Sequence, residues 1–269
     1  MSRLHSFKRL QRYLICTLGR RLPFCLGLLP TPTPIRLLSY KCGLGTARQL
    51  LVFLPGIGDT LEDYQLNGFI EAVRRRGIDA DMIVADLHLG YYMRRIAFER
   101  LRHDIILPSR QDGYTRIHLV GISLGGFGAL HYAMRYPEDI SCLFLLAPYL
   151  GDAAVIKEIS AAGGVRQWEP DHISEDDYQR KLWLWLKGYG DTNVQLPELY
   201  LAYGDQDIFA SAQRLLGDIL PAERVYTVRG KHDWATWRRL WDFLLDSRAY
   251  PSSTLGMPTA ATGMAIPVL

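Results

Sequence analysis

The sequence predicts an α/β fold, with a mostly parallel central sheet and helices on both faces. From residue 35 to about 248, short strands that are nearly continuous in apolar residues alternate with amphipathic helical segments. Such strands are typical of sheets buried on both faces, and alternation with helices is typical of parallel connections. With 269 residues, 48% of them hydrophobic, the chain is long enough for one substantial core. We expect one main domain over residues 35–249.

Each element has a local signal. The first two strands flank a turn at Gly43 and Gly45, and the first helix has an apolar stripe at helical spacing that closes at Gly77. A glycine-rich segment begins the third helix, and Pro137 ends it. The predicted strands are IRLLSYKCG, QLLVFLPG, IDADMIVAD, TRIHLVGI, ISCLFLLAP, ELYLAYGD and VYTV. The predicted helices are LEDYQLNGFIEAVRRRG, YYMRRIAFERLRHDII, LGGFGALHYAMRY, SAQRLLGDIL and ATWRRLWDFLLDS.

An insert of about residues 150–195 separates the fifth and sixth strands. It contains KLWLWLKGYG, an aromatic helical segment. Its rings could form a cap that walls an acyl pocket, or they could pack on the sheet as ordinary core. Both interpretations are open. The aromatic residues of the insert are Trp168, Tyr178, Trp183, Trp185 and Tyr189.

Residues 1–34 are predicted to form a basic leader that ends in the Pro-rich linker TPTP, residues 31–34. Residues 1–58 contain nine Lys and Arg but no Asp or Glu, so the remainder carries 22 basic and 28 acidic side chains and a formal charge of −6. Leucines at helical spacing within residues 3–22 predict an amphipathic helix that could lie in an anionic membrane surface. Packing on the body and organelle targeting are the alternatives.

Several classes of function and location are disfavoured. The leader has no uninterrupted apolar run of about 18 residues, and Arg20 and Arg21 would split the centre of a secretory signal. We therefore expect a cytoplasmic protein, with peripheral membrane contact through residues 3–22 as an alternative. An acidic body gives no support for nucleic-acid binding. Residues 250–269 lack periodicity and are expected to be disordered.

Metal and cofactor sites are not expected. The cysteines show no C-x-x-C pair, so we expect reduced thiols and no metal. The segments GIGDTL and GLGTAR lack the third glycine of a dinucleotide-binding loop, and there is no P-loop. The four cysteines are Cys16, Cys25, Cys42 and Cys142.

Ser123 is the candidate nucleophile. It lies in Gly121-Ile122-Ser123-Leu124-Gly125, a G-x-S-x-G motif between an apolar strand and a helix. A sharp strand-to-helix turn strains the serine and leaves no room for side chains two positions away, which is why Gly121 and Gly125 are glycines. The alternative is a Gly-rich turn in which the serine only closes the loop. Such a turn would need no partner residues elsewhere in the sequence.

His232 is the candidate base, because a serine hydroxyl needs an imidazole to accept its proton. His232 follows the last predicted strand, at the sheet edge where Ser123 lies. His88 could reach the same edge but precedes the serine, whereas this arrangement runs in the order Ser, acid, His. The other histidines are His5, His103, His118, His131 and His172.

The acid comes from YGDQDIF, which offers Asp205 and Asp207. Spacing from Gly204 favours Asp207, with Asp205 as the alternative and the better candidate for shaping the turn. Asp233, beside His232, is expected to cap the following helix.

Backbone N–H groups are the expected donors to an oxyanion. Leu124, next after the serine, should supply one. The loop FLPGIGDT should supply the other, from Ile57 or, as a second choice, Gly58.

These residues resemble the α/β-hydrolase superfamily over roughly residues 35–248. Within it, GISLGGFGAL and GKHDWATWRRLWDFL resemble the esterase D-like serine esterases. The resemblance implies a triad of Ser123, Asp207 and His232, an oxyanion hole at the Ile57 and Leu124 amides, and no cofactor. Pro55-Gly56 stands where many relatives have His-Gly.

We therefore expect a serine hydrolase that cleaves a small acyl ester or thioester through a covalent acyl-enzyme. An acyltransferase or a peptidase would use the same three residues. The alternative from another class is a binding protein that keeps the fold without turnover.

Overall fold

The computed structural model describes residues 29–42, 48–191 and 196–247. Within them, seven strands form one sheet in the order β1-β3-β2-β4-β5-β6-β7. Strand β1 runs antiparallel to β3, and all other neighbours are parallel. The predicted mostly parallel sheet is confirmed. The strands are β1 Leu37–Tyr40, β2 Gln49–Leu54, β3 Asp81–Ala85, β4 Arg116–Ile122, β5 Cys142–Leu146, β6 Glu198–Gly204 and β7 Val225–Val228.

Helices cover both faces of this sheet. The central strands alternate their side chains between two apolar clusters: in β2, Val52 faces one and Phe53 the other. Helices α1, α2 and α10 lie against the cluster that contains Phe53, and the remaining helices lie on the opposite face. The helices are α1 Asp63–Leu66, α2 Phe69–Arg75, α3 Leu89–Met93, α4 Ala97–Leu101, α5 Leu107–Gln111, α6 Leu124–Arg135, α7 Ala153–Ala161, α8 Tyr178–Lys187, α9 Ala210–Gly217 and α10 Trp234–Asp246.

Two segments predicted as single helices are each broken. The first divides at Gly68, whose φ of 77° is left-handed and turns the chain between α1 and α2. The second divides at Arg95, which has a φ of 58°, and then continues through a π-helical turn into α5. Apolar periodicity alone does not detect such a break, because the stripe resumes on the same face after it.

The insert between β5 and β6 contains α7 and α8, and its tryptophans are packing residues. Trp183 is fully buried and donates its indole N–H to the Leu150 carbonyl at 2.8 Å. Trp168 is 2% exposed and bonds Glu158. Tyr178, at the start of α8, differs from them because it is 54% exposed.

The Pro-rich segment before β1 lies against the body. The Pro30 carbonyl is 3.2 Å from His88 Nε2, and the Pro32 carbonyl accepts from the Tyr91 hydroxyl at 2.7 Å.

The amphipathic helix expected in the leader and the disordered tail expected at 250–269 lie outside the described residues, as do Cys16 and Cys25. Cys142 is a buried free thiol in β5, and the Cys42 thiol donates to Asp79 Oδ1 at 3.3 Å. Of the described helices, none has the length and apolar character that crossing a bilayer requires.

His131, in α6, makes stability depend on pH. It is 5% exposed, its Nε2 has no partner, and burial lowers its pKa to about 4. In the unfolded chain the imidazole has a pKa near 6.5. Between that pH and about 4, the unfolded chain therefore binds a proton at this residue and the folded chain does not, which favours unfolding. The stabilisation is therefore complete above about pH 6.5 and is lost as the pH falls toward 4.

We expect His131→Phe to reduce the loss of unfolding free energy between pH 7 and pH 5 by about 2 kcal/mol. Urea unfolding at both pH values measures it. The exposed His172→Asn is the control and should behave as wild type. Equal pH dependence in all three proteins would contradict this expectation.

Candidate active site

The turn at Ser123 joins β4 to α6 and is strained as its sequence predicts. Ser123 has φ 51° and ψ −113°, an unusual conformation for a residue with a side chain. A Cβ at Gly121 would meet the Gly125 backbone, and one at Gly125 would meet the Leu54 carbonyl. The turn can therefore close only with glycine at both positions. Ser123 as a whole residue is 5% exposed.

Three loops at the carboxyl edge of the sheet bring Ser123, His232 and Asp207 together. Ser123 follows β4, Asp207 follows β6 and His232 follows β7. His232 Nε2 is 3.0 Å from Ser123 Oγ, and His232 Nδ1 is 2.7 Å from Asp207 Oδ2. A carboxylate can only accept, so Nδ1 carries the proton and Nε2 is free to accept from the serine. The arrangement can therefore withdraw a proton from Ser123 Oγ.

Hydrogen bonds hold the Asp207 side chain in place, and Asp205 does not shape the turn as expected. The Asp207 side chain is fully buried, and its Oδ1 accepts from the Phe209 amide at 2.8 Å and lies 3.5 Å from Gln213 Nε2. The Asx turn, expected at Asp205, is therefore made by Asp207. Asp205 instead accepts from the Gly230 amide at 3.1 Å, which ties the β6 loop to the loop that carries His232.

The His232 ring is fixed by aromatic packing as well. Phe209 and Trp237 meet it edge to face, with centroids 5.1 and 4.9 Å away. Its side chain is 17% exposed. Asp233 caps α10 by accepting from the Thr236 amide at 2.8 Å, so that prediction is confirmed. These contacts hold the imidazole against both of its hydrogen-bond partners.

The competing histidines are engaged elsewhere. His88 Nδ1 accepts from the Gly90 amide at 3.1 Å and caps α3, and burial lowers its pKa. His118 lies inside β4, 3.3 Å from the Gln49 side chain. His131 packs among aromatic rings on α6. None of these three is hydrogen-bonded to Ser123 in the described chain.

The loop after β2 lies directly against the serine. A Cβ placed on Gly56 would be 3.4 Å from Ser123 Cβ. The Gly56 amide donates to Asp59 Oδ2 at 3.1 Å, so it is not available as an oxyanion donor. The next amide is that of Ile57, whose residue is 50% exposed. Leu124 is the first residue of α6, where amides lack partners inside the helix.

Asp59 and Gln213 are site residues that the sequence analysis missed. Asp59 is 6% exposed, and besides Gly56 it accepts from the Trp234 indole at 3.3 Å. It therefore connects the loop after β2 to the residues beside His232. Its position three residues after Gly56 was the available signal. Gln213 has no sequence signal, since it is one polar residue on an amphipathic helix.

We expect Asp59→Ala to lower kcat for ester hydrolysis about 10- to 100-fold. The loop would lose the acceptor that orients its amides, and removing one oxyanion donor outright costs about 10²- to 10³-fold. Steady-state kinetics on a short ester measures the change. Trp234→Phe, which removes the indole hydrogen bond but keeps an aromatic ring at this position, should lower kcat less than fivefold. An equal loss of kcat in both variants would contradict the assignment.

A metal site is not found among the described residues, and a cavity on the insert lies apart from these loops. Among residues 29–42, 48–191 and 196–247, no three His, Cys, Asp or Glu side chains converge on a point that could hold a metal. A surface cavity of about 460 Å³ lies on the insert, where Trp168, His172 and Leu184 contribute to its lining. It contains none of the residues bonded to Ser123.

Comparison with known proteins agrees with this architecture. Residues 110–195, from α5 through the insert, match the family model described as the alpha/beta hydrolase fold. No curated protein matched the sequence significantly.

Three solved structures illustrate the similarity. An S-formylglutathione hydrolase from Agrobacterium tumefaciens aligns with a TM-score of 0.55 at 13% identity, covering 81% of this chain and 91% of its own. Est1E from Butyrivibrio proteoclasticus has a TM-score of 0.52 at 16% identity, covering 81% and 97%. FphF, a fluorophosphonate-binding serine hydrolase from Staphylococcus aureus, has 0.50 at 12%, covering 79% and 98%. The chain therefore has the α/β-hydrolase fold, and in that fold it resembles solved esterases.

Proposed function

We propose that this protein is a serine esterase that cleaves small acyl esters or thioesters through Ser123, His232 and Asp207. The observation that carries the proposal is the unbroken chain of two hydrogen bonds from Ser123 Oγ through the imidazole to a fully buried carboxylate. A serine hydroxyl becomes a nucleophile only with such a partner. The names of the similar structures, an S-formylglutathione hydrolase and a serine hydrolase among them, support the same chemistry.

The proposed reaction has two steps. His232 Nε2 takes the proton of Ser123 Oγ as the oxygen attacks the substrate carbonyl, and the imidazolium then protonates the leaving alcohol or thiol. In the second step the same imidazole takes a proton from water as the water oxygen attacks the acyl carbon. The bond from that carbon to Ser123 Oγ then breaks, and the imidazolium returns the proton to Oγ, which releases the acid. The Asp207 carboxylate stabilises the imidazolium in both steps. Ile57 and Leu124 amides are the proposed donors to the oxyanion, and Gly121 and Gly125 allow the turn.

A substrate panel separates this function from its alternatives. The full chain is assayed with 4-nitrophenyl acetate, an acetyl thioester and a peptide anilide, with and without an added alcohol acceptor. We expect hydrolysis of the ester and thioester, with the anilide at least about 100-fold slower. Faster anilide cleavage would indicate a peptidase, and dominant transfer to the alcohol an acyltransferase. A folded protein that turns over none of them would be a binding protein.

A further inference from the structure

A continuous strip of aromatic rings begins at the His232 imidazole. Phe209 lies 5.1 Å from His232, and Tyr149 lies 5.4 Å from Phe209, as measured between ring centroids. Phe127 follows at 5.6 Å from Tyr149, and Tyr178 at 5.9 Å from Phe127. We call these four residues, Phe209, Tyr149, Phe127 and Tyr178, the aromatic strip.

The strip is accessible at three of its four rings. Phe209 and Tyr149 are half-buried, Phe127 is buried beneath them in the core at 8% exposure, and Tyr178 at the outer end is 54% exposed. The Tyr149 amide donates to the Ser123 carbonyl at 3.0 Å, which places the strip beside the nucleophile. An apolar group attached to an ester carbonyl at Ser123 could therefore lie across these rings.

The strip is also preorganised. The Tyr149 hydroxyl donates to Asp152 at 2.5 Å, which together with burial raises the pKa of the phenol. Gln179, next to Tyr178, makes two hydrogen bonds to Asp152, at 2.6 and 2.8 Å. Tyr149 and the first turn of α8, which carries Tyr178, are thus both tied to Asp152. Rings ordered in advance bind apolar groups without paying side-chain entropy on association.

We propose that the aromatic strip binds an extended apolar group of the substrate, so that the preferred esters carry a chain well beyond two carbons. The inference rests on the proposed function. The strip consists of ring surface with one phenol already bonded, and burial of each added methylene against such surface favours binding. Tyr178 is the residue that sets specificity for the outer end of that group.

Two ester series show which end of the ester lies on the strip. One is 4-nitrophenyl esters of C2 to C10 acids, and the other is acetates of C2 to C10 alcohols. We expect kcat/KM to rise about two- to fourfold per methylene in one series. Tyr178→Ala should lower kcat/KM about tenfold for the longest esters of that series and leave kcat/KM for the C2 ester unchanged. Tyr178→Phe, which keeps the ring, should retain the wild-type kcat/KM for the longest esters. Leu184→Ala, also exposed on α8, is the control.

A rate for C2 esters with no chain-length dependence in either series, or with increments unaffected by Tyr178→Ala, would overturn the inference and leave the proposed function intact. A binding measurement tests the strip without turnover. Calorimetric titration of Ser123→Ala with 4-nitrophenyl octanoate and with octyl acetate should show weakening of at least fivefold for one ligand on adding Tyr178→Ala. If Tyr178→Ala changes the affinity for neither ligand, the inference is overturned. This outcome does not depend on whether the protein hydrolyses either ester.

Discussion

Ser123→Ala is expected to lower kcat/KM for 4-nitrophenyl acetate by about 10⁴- to 10⁶-fold, the largest effect of any single substitution in this protein. The substitution removes Oγ, the atom proposed to bond covalently to the acyl group. Folding should be unaffected, since alanine occupies less space than serine and the two glycines that leave room for the turn, Gly121 and Gly125, are unchanged. Initial rates over a range of ester concentrations, with circular dichroism for folding, measure the change.

Ser211→Ala is the matched control for Ser123→Ala. Ser211 lies exposed on α9. We expect its substitution to change kcat/KM by less than twofold. Retention of more than a few per cent of the wild-type activity by Ser123→Ala would place the nucleophile elsewhere.

Asp207→Asn is expected to lower kcat by about 10⁴-fold with little change in stability. The asparagine amide can donate to Nδ1, which moves the imidazole proton to Nε2. Nε2 then cannot accept the serine proton, so the base is lost although every ring stays in place. Steady-state rates of ester hydrolysis at pH 7 to 8 test this change.

Asp205→Asn is the comparison that separates the two candidate acids. The Asp205 carboxylate accepts from the Gly230 amide in the His232 loop, and asparagine retains that acceptor oxygen. We expect less than a fivefold loss of kcat. A larger loss at Asp205 than at Asp207 would show that the acid had been assigned to the wrong residue.

The sequence was most informative where local chemistry dictates local structure. The apolar runs predicted the seven strands in their order along the chain, and the G-x-S-x-G turn predicted both the strain at Ser123 and the steric need for glycine. The loop positions of His232 and Asp207 were predictable because parallel strands share one carboxyl edge. Ser123 and His232 are 109 positions apart in the chain, and Asp207 and His232 are 25 apart. The order of the strands in the sheet is what brings all three residues together.

Features that depend on packing between distant segments could not be predicted. Asp59 contacts Trp234 across 175 positions of the chain, and no local pattern encodes that contact. The break at Arg95 has no glycine to signal it. In the insert, Trp183 and Tyr178 belong to the same amphipathic helix, but one ring is buried and the other exposed. Only the packing of that helix in the fold determines which ring is buried.

Labelling with a fluorophosphonate probe tests the central claim most directly, since the probe bonds irreversibly to a serine oxygen activated by a base. The full chain should gain one adduct, which peptide mass spectrometry locates on Ser123, and folded His232→Ala should label at least about 100-fold more slowly. A folded wild-type protein that remains unlabelled, or one labelled on another residue, would contradict the account.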